Sequence, residues 1–541
     1  MPNVFEDVVD ALDLEAATRR GSERNDLLPP RLEDSVAGEL GKRFSEGLRT
    51  RLERGRYDPV PAVFIYVPKP GNTTRPAALL TLADRVIYDA LVHELRPRID
   101  AALLGPDVVF WPRGVPTDKR WSGFEAAPLA SNPAYVARAD ITGFYECIDH
   151  ETLRDTLTDI TGRRSVVNAL IEFLGRVMGS TRGIPQGLSA SDPLSTAYLV
   201  PVDASMAREG LDYYRHGDDI RISEQSVGEA RRALYVFELE LRRRGLLANN
   251  PKLIIMPVAS YRAAIDEGTR TTDETKKALL EARIAELEDP QKAQAVLDEA
   301  GRDDLGWAFF YAGAISFEGL VKELEDHLTP SDTEVAAKVF LETIAKPSGA
   351  LSPEAFHQRI TSSLVRLAAG KSAAAIPHAS SLIARFPEKT EIVAGYLGAL
   401  ADRHGPRIVS EVTNSLTDGR FQTDWEKAWL LGVLARFTGA LQNPDLDLAR
   451  RIASDEDETP LCRVAALKLL ALRGECDHLL VRRLWNLAPV AFHPDLVAAA
   501  YHARGTQAWC NPFITGAKDD PINAVVLRHL EAAKPGQRTV C

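Results

Sequence analysis

Residues 213–222 have the sequence Tyr-Tyr-Arg-His-Gly-Asp-Asp-Ile-Arg-Ile, in which two adjacent aspartates interrupt strand-forming residues. We expect the aspartates at the tip of a hairpin. Because successive side chains of a strand point to opposite faces, only one of Asp218 and Asp219 can point squarely at a shared site, while the other supports it from the side. A further inward carboxylate therefore has to come from an adjacent strand.

Residues 134–140, Ala-Tyr-Val-Ala-Arg-Ala-Asp, provide that carboxylate. This short, partly apolar run predicts a strand that ends at Asp140. Mg²⁺ prefers hard oxygen ligands, and in nucleotidyl transfer two such ions lie about 3.5 to 4 Å apart between the attacking 3′ oxygen and the leaving pyrophosphate. An aspartate pair alone is usually a solvated turn, so the predicted two-metal site depends on the three carboxylates together.

A glycine-rich loop lies between the two acidic segments, at residues 183–195, Gly-Ile-Pro-Gln-Gly-Leu-Ser-Ala-Ser-Asp-Pro-Leu-Ser. Its glycines let the backbone approach a base pair closely before an apolar helix from Leu194 to Val200. Taken alone, the loop fits an ordinary connection with a helix cap at Ser191 or Asp192.

In order and spacing, these segments of residues 1–260 resemble the reverse transcriptase family, with 140–145 similar to motif A, 183–191 to motif B and 216–219 to motif C. The resemblance implies an α+β right-hand polymerase fold with palm and fingers, and RNA-directed DNA polymerase activity. It implies dNTPs as substrates, an RNA or DNA template-primer, and two Mg²⁺ ions for which Mn²⁺ can substitute. The implied metal ligands are Asp140, the main-chain carbonyl of Ile141, Asp218 and Asp219.

Further segments extend the resemblance on both sides of the acidic motifs. Residues 245–252 resemble motif D, whose lysine, here Lys252, can protonate the departing pyrophosphate. Residues 67–76 resemble the fingers, where Lys69 and Arg75 would hold the triphosphate as charge-assisted donors. Without the family resemblance, these two cations fit a solvated basic hairpin. In motif B the resemblance implies substrate contacts from Gln186 and Gly187.

Tyr145 lies five positions after Asp140, where an aromatic residue in this family stacks under the sugar of the incoming nucleotide. Such a ring collides with a 2′ hydroxyl and favours deoxynucleotides, whereas viral RNA polymerases usually carry an acidic residue there. A core aromatic of the palm is the alternative interpretation. One departure from the family is His216, where tyrosine is usual, and we expect it to preserve the packing.

Composition sets limits on the rest of the chain. The 541 residues, 45% apolar and 26% charged, are enough for two or three well-cored domains. No apolar run approaches the roughly 18 residues of a membrane span, and the first residues lack secretory-signal features. We therefore expect a cytoplasmic protein with no membrane contact. The net charge of −11 requires a local basic cleft for nucleic acid.

Residues 261–330 are charged and helical in pattern and predict a connector. Residues 331–541 contain short amphipathic segments, such as Leu461–Leu472 after a cap and proline at Thr459-Pro460, and predict an all-α, HEAT-like helical-repeat domain. An ordinary helical bundle is the alternative. The resulting division is 1–260 for fingers and palm, 261–330 for the connector and 331–541 for the repeat.

A palm followed by a long helical region resembles the bacterial abortive-infection and defence-associated reverse transcriptases, such as AbiK and AbiA. The resemblance implies an anti-phage role, homo-oligomers formed through the helical region, and DNA synthesis that starts from a protein hydroxyl, with a noncoding RNA template or none. Two alternatives stay open. One is a retron or intron reverse transcriptase that depends on one structured RNA, and the other is a catalytically idle scaffold that binds RNA or a phage protein.

Overall fold

The computed structural model describes residues 4–20, 25–71, 73–105, 107–110, 117–287, 289–302, 317–346, 350–351, 353–439, 441–504 and 510–532. The chain divides into two compact units. The first unit is Met1–Arg262 with Gln422–Ala435 and Leu441–Cys541, and the second is Ala263–Phe421 with Arg436–Ala440. Within the described ranges, no helix combines the length and the apolar character that a bilayer crossing requires.

The described part of residues 1–262 contains strands and helices, with helices between most of the successive strands. The strands are β1 Val63–Lys69, β2 Thr73–Leu79, β3 Tyr135–Ala139, β4 Asp212–His216, β5 Asp219–Glu224 and β6 Ile254–Pro257. The helices are α1 Leu14–Arg20, α2 Leu32–Val36, α3 Gly41–Glu53, α4 Leu82–Ala102, α5 Thr117–Ala126, α6 Phe144–Cys147, α7 His150–Thr161, α8 Arg164–Met178, α9 Ser191–Tyr198, α10 Val200–Arg208, α11 Val227–Arg243 and α12 Val258–Glu286, which continues into the second unit.

Every regular element after β6 in the described ranges is helical. The helices are α13 Pro290–Ala300, α14 Phe317–Glu323, α15 Glu325–Leu328, α16 Asp332–Ala345, α17 Pro353–Ala369, α18 Ala379–Arg385, α19 Thr390–Thr417, α20 Asp424–Arg436, α21 Asn443–Ser454, α22 Pro460–Leu472, α23 His478–Leu487, α24 His493–Ala503, α25 Cys510–Ala517 and α26 Pro521–Ala532. Short 3₁₀ helices occupy Glu6–Ala11, Ala37–Glu39, Ala127–Leu129, Asn250–Lys252, Ile376–His378, Pro387–Lys389 and Val490–Phe492.

A four-stranded antiparallel sheet with the order β4-β5-β3-β6 forms the centre of the first unit. Helix α11 packs on β3 and β5, and its buried residues include Phe237 and Leu241. Burial of these apolar side chains against the sheet is the main stabilising term of this layer. The predicted strand before Asp140 is confirmed, since β3 ends at Ala139.

The fingers hairpin consists of β1 and β2, which pair antiparallel so that Val67 lies opposite Arg75 and Lys69 opposite Thr73. Strand β2 also contacts the motif B loop, residues 183–190, because the amide of Ala78 donates to the carbonyl of Gln186 over 3.2 Å. The two predicted triphosphate contacts therefore lie on facing strands of one hairpin, which also contacts motif B.

A fully buried ion pair joins α10 to the β4–β5 hairpin, which carries Asp218 and Asp219. The Arg215 guanidinium donates to both carboxylate oxygens of Asp203, from Nε over 2.8 Å and from Nη2 over 2.6 Å, and the side chains of both residues are 1% exposed. Its Nη1 also donates to the carbonyl of Gly217 over 3.2 Å. The bidentate geometry fixes the guanidinium, which in turn holds the turn that carries Asp218.

Two predicted helix starts differ from the structure in their caps. The helix predicted from Leu461 begins at Pro460, with proline in the first turn as expected, but the side chain of Thr459 makes no capping hydrogen bond. In motif B the helix begins at Ser191 with Ala190 as its cap, so neither Ser191 nor Asp192 is the cap. The hydroxyl of Ser191 donates to the carbonyl of Pro185.

The C-terminal helices from α21 onward, together with most of α20, belong to the first unit. Helix α2 contacts α24 and α26, and Arg31 forms buried bonds to Asp495, the shorter of them over 2.7 Å. The contacts thus group residues 422–435 and 441–541 with the fingers and palm, and separate them from the helices that precede them in sequence. The predicted three-part division and the HEAT-like repeat remain predictions.

The second unit is helical throughout its described residues. Helix α17 packs on α16 and α19, and α18 packs on α19. Within the predicted connector, residues 261–330, buried apolar side chains form a cluster. Its members are Leu287, Ala293, Leu297, Leu320, Leu324 and Leu328. Helix α19 is kinked at His404, where the backbone is non-helical two residues before Pro406, because a proline in a helix interior removes a hydrogen bond and clashes with the preceding turn.

We predict that Asp203→Asn lowers the free energy of unfolding of the first unit by about 3 to 5 kcal/mol, because it leaves the Arg215 guanidinium buried without its counter-charge. Chemical denaturation measures the change. The control is Glu209→Gln, which breaks the exposed Glu209–Arg232 pair and should lower the same free energy by less than about 1 kcal/mol. Equal losses in the two variants would contradict the role assigned to the buried pair.

Candidate active site

The strand register brings the three predicted aspartates to one edge of the sheet. Ala139 pairs with Ile220, so the next position places Asp140 opposite Asp219. His216 pairs with Asp219, which leaves Gly217 and Asp218 as a two-residue hairpin turn. Gly217 has a φ of 61° and is the first central residue of the turn, where a type II′ turn requires glycine.

The proximity of the carboxylates affects the pKa of Asp218 and of Asp219. The pKa of Asp218 is raised to about 6, first because burial removes water from the carboxylate and then because Asp219 and Asp140 add negative charge. Burial also raises the pKa of Asp219, and Arg221 opposes this shift. A site that concentrates negative charge in this way is neutralised by divalent cations, and its oxygen donors suit Mg²⁺. The residues present therefore fit the metal ions that the family implies.

Asp140 is held by the segment that carries the predicted lysine. Lys252 Nζ lies 3.0 Å from Asp140 Oδ1, and Asn249 Nδ2 donates to Oδ2 over 2.8 Å. Two backbone bonds fix the same segment, because the amide of Asn249 donates to the carbonyl of Asp140 over 2.8 Å and the amide of Thr142 donates to that of Leu247 over 2.9 Å. Neither bond uses the carbonyl of Ile141, the predicted main-chain ligand.

A second cluster of potential metal ligands lies outside the palm. Among the described residues, oxygen and sulfur atoms of Asp424, Glu458 and Cys462 come within 4.8 Å of one another. Lys427 Nζ lies 2.6 Å from Glu458, so an ammonium group already balances charge there. Asp140, Asp218 and Asp219 are less tightly grouped than these three residues. At Asp140 the ammonium of Lys252 balances negative charge, as Lys427 does at Glu458.

Of the two predicted fingers cations, Lys69 interacts electrostatically with the acidic site. Burial lowers the pKa of Lys69, and Arg75 adds to this shift, while Glu146 and Asp218 act in the opposite direction. Lys69 therefore lies within electrostatic reach of the catalytic turn. The Nε of Arg75 is buried and has no hydrogen-bond partner in the described part of the chain.

Tyr145 is fixed between motifs A and B. Its hydroxyl donates to Asp192 Oδ1 over 2.7 Å, and its carbonyl accepts from the amide of Ile184 over 3.0 Å. Burial raises the pKa of the hydroxyl far above its usual value, and Asp192 adds to the shift. The hydroxyl therefore stays protonated and keeps the ring in one orientation.

The predicted motif B residues lie beside the fingers hairpin. The Oε1 atom of Gln186 is buried and has no hydrogen-bond partner among the described residues. Gly187 has a φ of 90°, a conformation that L side chains rarely adopt. Motif B thus places the Gln186 amide oxygen and a glycine with positive φ beside strand β2 of the fingers hairpin.

His216 fills an aromatic pocket beside the turn. Its ring lies edge-on to Trp121, with ring centroids 5.3 Å apart, and 5.8 Å from Phe124. Burial lowers the pKa of the imidazole, which favours the neutral ring. These contacts are those of a packing residue, in agreement with the expectation from sequence.

The structure also shows residues that the sequence motifs did not single out. Asn249 holds the second oxygen of Asp140, Asp192 orients Tyr145, and Asp203 anchors Arg215. Asn249 could have been noticed, since it precedes Lys252 by one turn of backbone. No local pattern relates Asp203 to Arg215 or Asp192 to Tyr145, because these pairs form only when separate elements pack together.

Comparison with known proteins gives a family for the palm and fingers. No curated protein matches this chain at a significant level of similarity. Residues 67–275 match the family described as reverse transcriptase (RNA-dependent DNA polymerase). The matched range contains most of the fingers hairpin and all four palm motifs described above. Residues 67–275 therefore form a reverse transcriptase domain, and the chain carries an RNA-directed DNA polymerase, a nucleotidyltransferase that uses dNTPs and a nucleic acid template-primer.

Proposed function

We propose that this polymerase adds dNMPs to a primer by two-metal-ion nucleotidyl transfer. The observation that carries the proposal is the meeting of Asp140 and Asp219 on paired strands with Asp218 in the adjoining turn. These three carboxylates and the carbonyl of Ile141 would hold two Mg²⁺ ions, or Mn²⁺ in their place. When bound, the ions would activate the attacking 3′ oxygen and stabilise charge on the pyrophosphate.

Cationic side chains around the carboxylates would serve the triphosphate. Lys69 and Arg75 would donate to its oxygens from the two fingers strands. Lys252 lies next to Asp140 and its side chain is 58% exposed, so its ammonium can turn to the departing pyrophosphate. In this role Lys252 would be a general acid that delivers a proton to the leaving group.

Tyr145 would select the sugar of the incoming nucleotide. Its hydroxyl is anchored on Asp192, so the ring cannot rotate away when a ribonucleotide enters. A fixed ring beside the catalytic carboxylates would exclude a 2′ hydroxyl by steric contact. Gln186 and Gly187 would contact the nucleotide or its base pair from motif B.

We further propose an anti-phage role of the abortive-infection type, in the cytoplasm. The combination of a reverse transcriptase domain with a long all-helical region supports this assignment. In this proposal the helical region mediates homo-oligomerisation. DNA synthesis begins on a protein hydroxyl and uses a noncoding RNA template or none.

The test of catalysis uses purified protein, labelled dNTPs and Mg²⁺. We expect incorporation by the wild-type protein, and loss of incorporation by at least about a thousandfold in the Asp218→Ala, Asp219→Ala double variant, since no ligand set remains to stabilise the transition state. Asp212→Ala is the control, because Asp212 is an exposed aspartate at the start of the same hairpin. Absence of incorporation by the wild-type protein on every template, with or without co-purified RNA, would favour a binding scaffold.

The same variants test the defence role. Cells that express the wild-type protein or Asp212→Ala should restrict phage growth, and cells with the double aspartate variant should not. Sequencing of co-purified nucleic acid would identify a template. Recovery of one structured RNA, on which synthesis depends, would assign the protein to the retron or intron type instead.

The sugar-selection role predicts that Tyr145→Ala relaxes discrimination against ribonucleotides by at least about tenfold, measured as the ratio of kcat/KM for a dNTP to that for the matching rNTP. Tyr145→Phe keeps the ring but loses the bond to Asp192, so most of the discrimination should remain. Unchanged selectivity in Tyr145→Ala would contradict the assignment.

A further inference from the structure

Asn25 links three separate parts of the first unit through one buried amide. Its Nδ2 donates to the carbonyl of Ala78 on β2 over 2.9 Å and to the carbonyl of Gln186 in motif B over 2.9 Å. Its Oδ1 accepts from the amide of Leu27 over 2.9 Å. The side chain is almost fully buried, at 6% exposure, and both amide hydrogens and the oxygen are used, which only asparagine of this length can supply.

The same contact explains the glycine of motif B. A Cβ on Gly187 would lie 2.1 Å from the Oδ1 of Asn25, so any side chain there would displace the amide. The amide of Asp26 also donates to the carbonyl of Gly187 over 2.9 Å. The motif B peptide is therefore clamped by Asn25 on one carbonyl and by Asp26 on the next.

Helix α20, in the C-terminal part of the chain, holds the segment that carries Asn25 and Asp26. Trp425 of α20 donates from Nε1 to the carbonyl of Leu27 over 2.6 Å, and its side chain is buried. Residues 25–28, called here the bracing segment, are thus held between motif B and α20. The next helix turn of α20 carries Trp429, whose Nε1 is buried and has no hydrogen-bond partner in the described residues.

We propose that Asn25 is a positioning residue of the polymerase, which sets the place of the Gln186 side chain, and that α20 holds Asn25 in register through Trp425. The inference rests on the proposed function, in which Gln186 contacts the incoming nucleotide. Among the described residues the buried Oε1 of Gln186 has no hydrogen-bond partner, whereas the carbonyl of the same residue accepts two hydrogen bonds. The bracing segment contacts both α20 and motif B, so the position of α20 affects the position of motif B.

The main test is Asn25→Asp, which keeps the size and the acceptor but replaces both donors by oxygen that faces two carbonyls. We expect KM for dNTPs to rise about tenfold and kcat to fall by no more than about threefold, because substrate placement is lost and the metal ligands are untouched. Hydrogen exchange should show the amide of Ala78, which bonds to Gln186, exchanging about tenfold faster. Asn523→Ala, which removes a buried asparagine in α26, controls for general destabilisation.

A matched tryptophan pair tests the link to the C-terminal helix. Trp425→Phe removes the donor to Leu27, while Trp429→Phe removes a donor that has no partner in the described residues. We expect Trp425→Phe to raise KM for dNTPs in the same direction as Asn25→Asp and to speed exchange at Ala78. Trp429→Phe should do neither, although the change in size is the same.

The outcomes separate this inference from the proposed function. A wild-type protein without incorporation would overturn the proposed function, and exchange at Ala78 would still decide whether Asn25 holds motif B. An active wild-type protein whose Asn25→Asp variant shows unchanged KM and unchanged exchange would overturn the positioning role. If Asn25→Asp lowers the melting temperature but does not selectively raise KM for dNTPs, Asn25 has a structural role only and the positioning role is wrong.

Discussion

The antiparallel pairing of β3 with β5 is the constraint on which the rest of the catalytic unit depends. It forces Asp140 and Asp219 to the same sheet edge, and the two-residue turn at Gly217 adds Asp218. Burial and the like charges of Asp219 and Asp140 both disfavour the ionised form of Asp218 and raise its pKa. The surrounding structure offsets that repulsion with Lys252 and Asn249 on Asp140 and with Arg221 beside Asp219.

Side-chain contacts support the edge of the sheet that carries the three aspartates. The buried Arg215–Asp203 pair holds the turn carbonyl before Asp218, and the pocket of Trp121 and Phe124 holds the neighbouring imidazole. Forming a buried ion pair adds little net stability, because both charges lose their hydration, whereas removing one partner strongly destabilises the fold. The pair therefore fixes the geometry of its residues more than it adds to the free energy of unfolding. The catalytic carboxylates can then keep their positions without being tied to one another.

Sequence alone predicted the parts of this protein that follow local rules. The strand before Asp140, the hairpin at Asp218 and the helix at Pro460 could be predicted because alternation, turn residues and proline act over a few neighbouring positions. The predicted side-chain cap at Thr459 is absent, and its buried hydroxyl has no hydrogen-bond partner among the described residues. The contacts of Asn25 with Gln186, and of Arg31 with Asp495, span 161 and 464 positions, and no pattern in a single sequence encodes such pairings.

The membership of the C-terminal helices in the first unit has a consequence for biosynthesis. Trp425 bonds to Leu27 across 398 positions of chain, so the contact does not exist while the ribosome is still producing the middle helices. Native partners at such sequence separation close late, because the connecting loop must first be ordered. Newly made residues 25–28 therefore lack this contact until helix α20 has been translated.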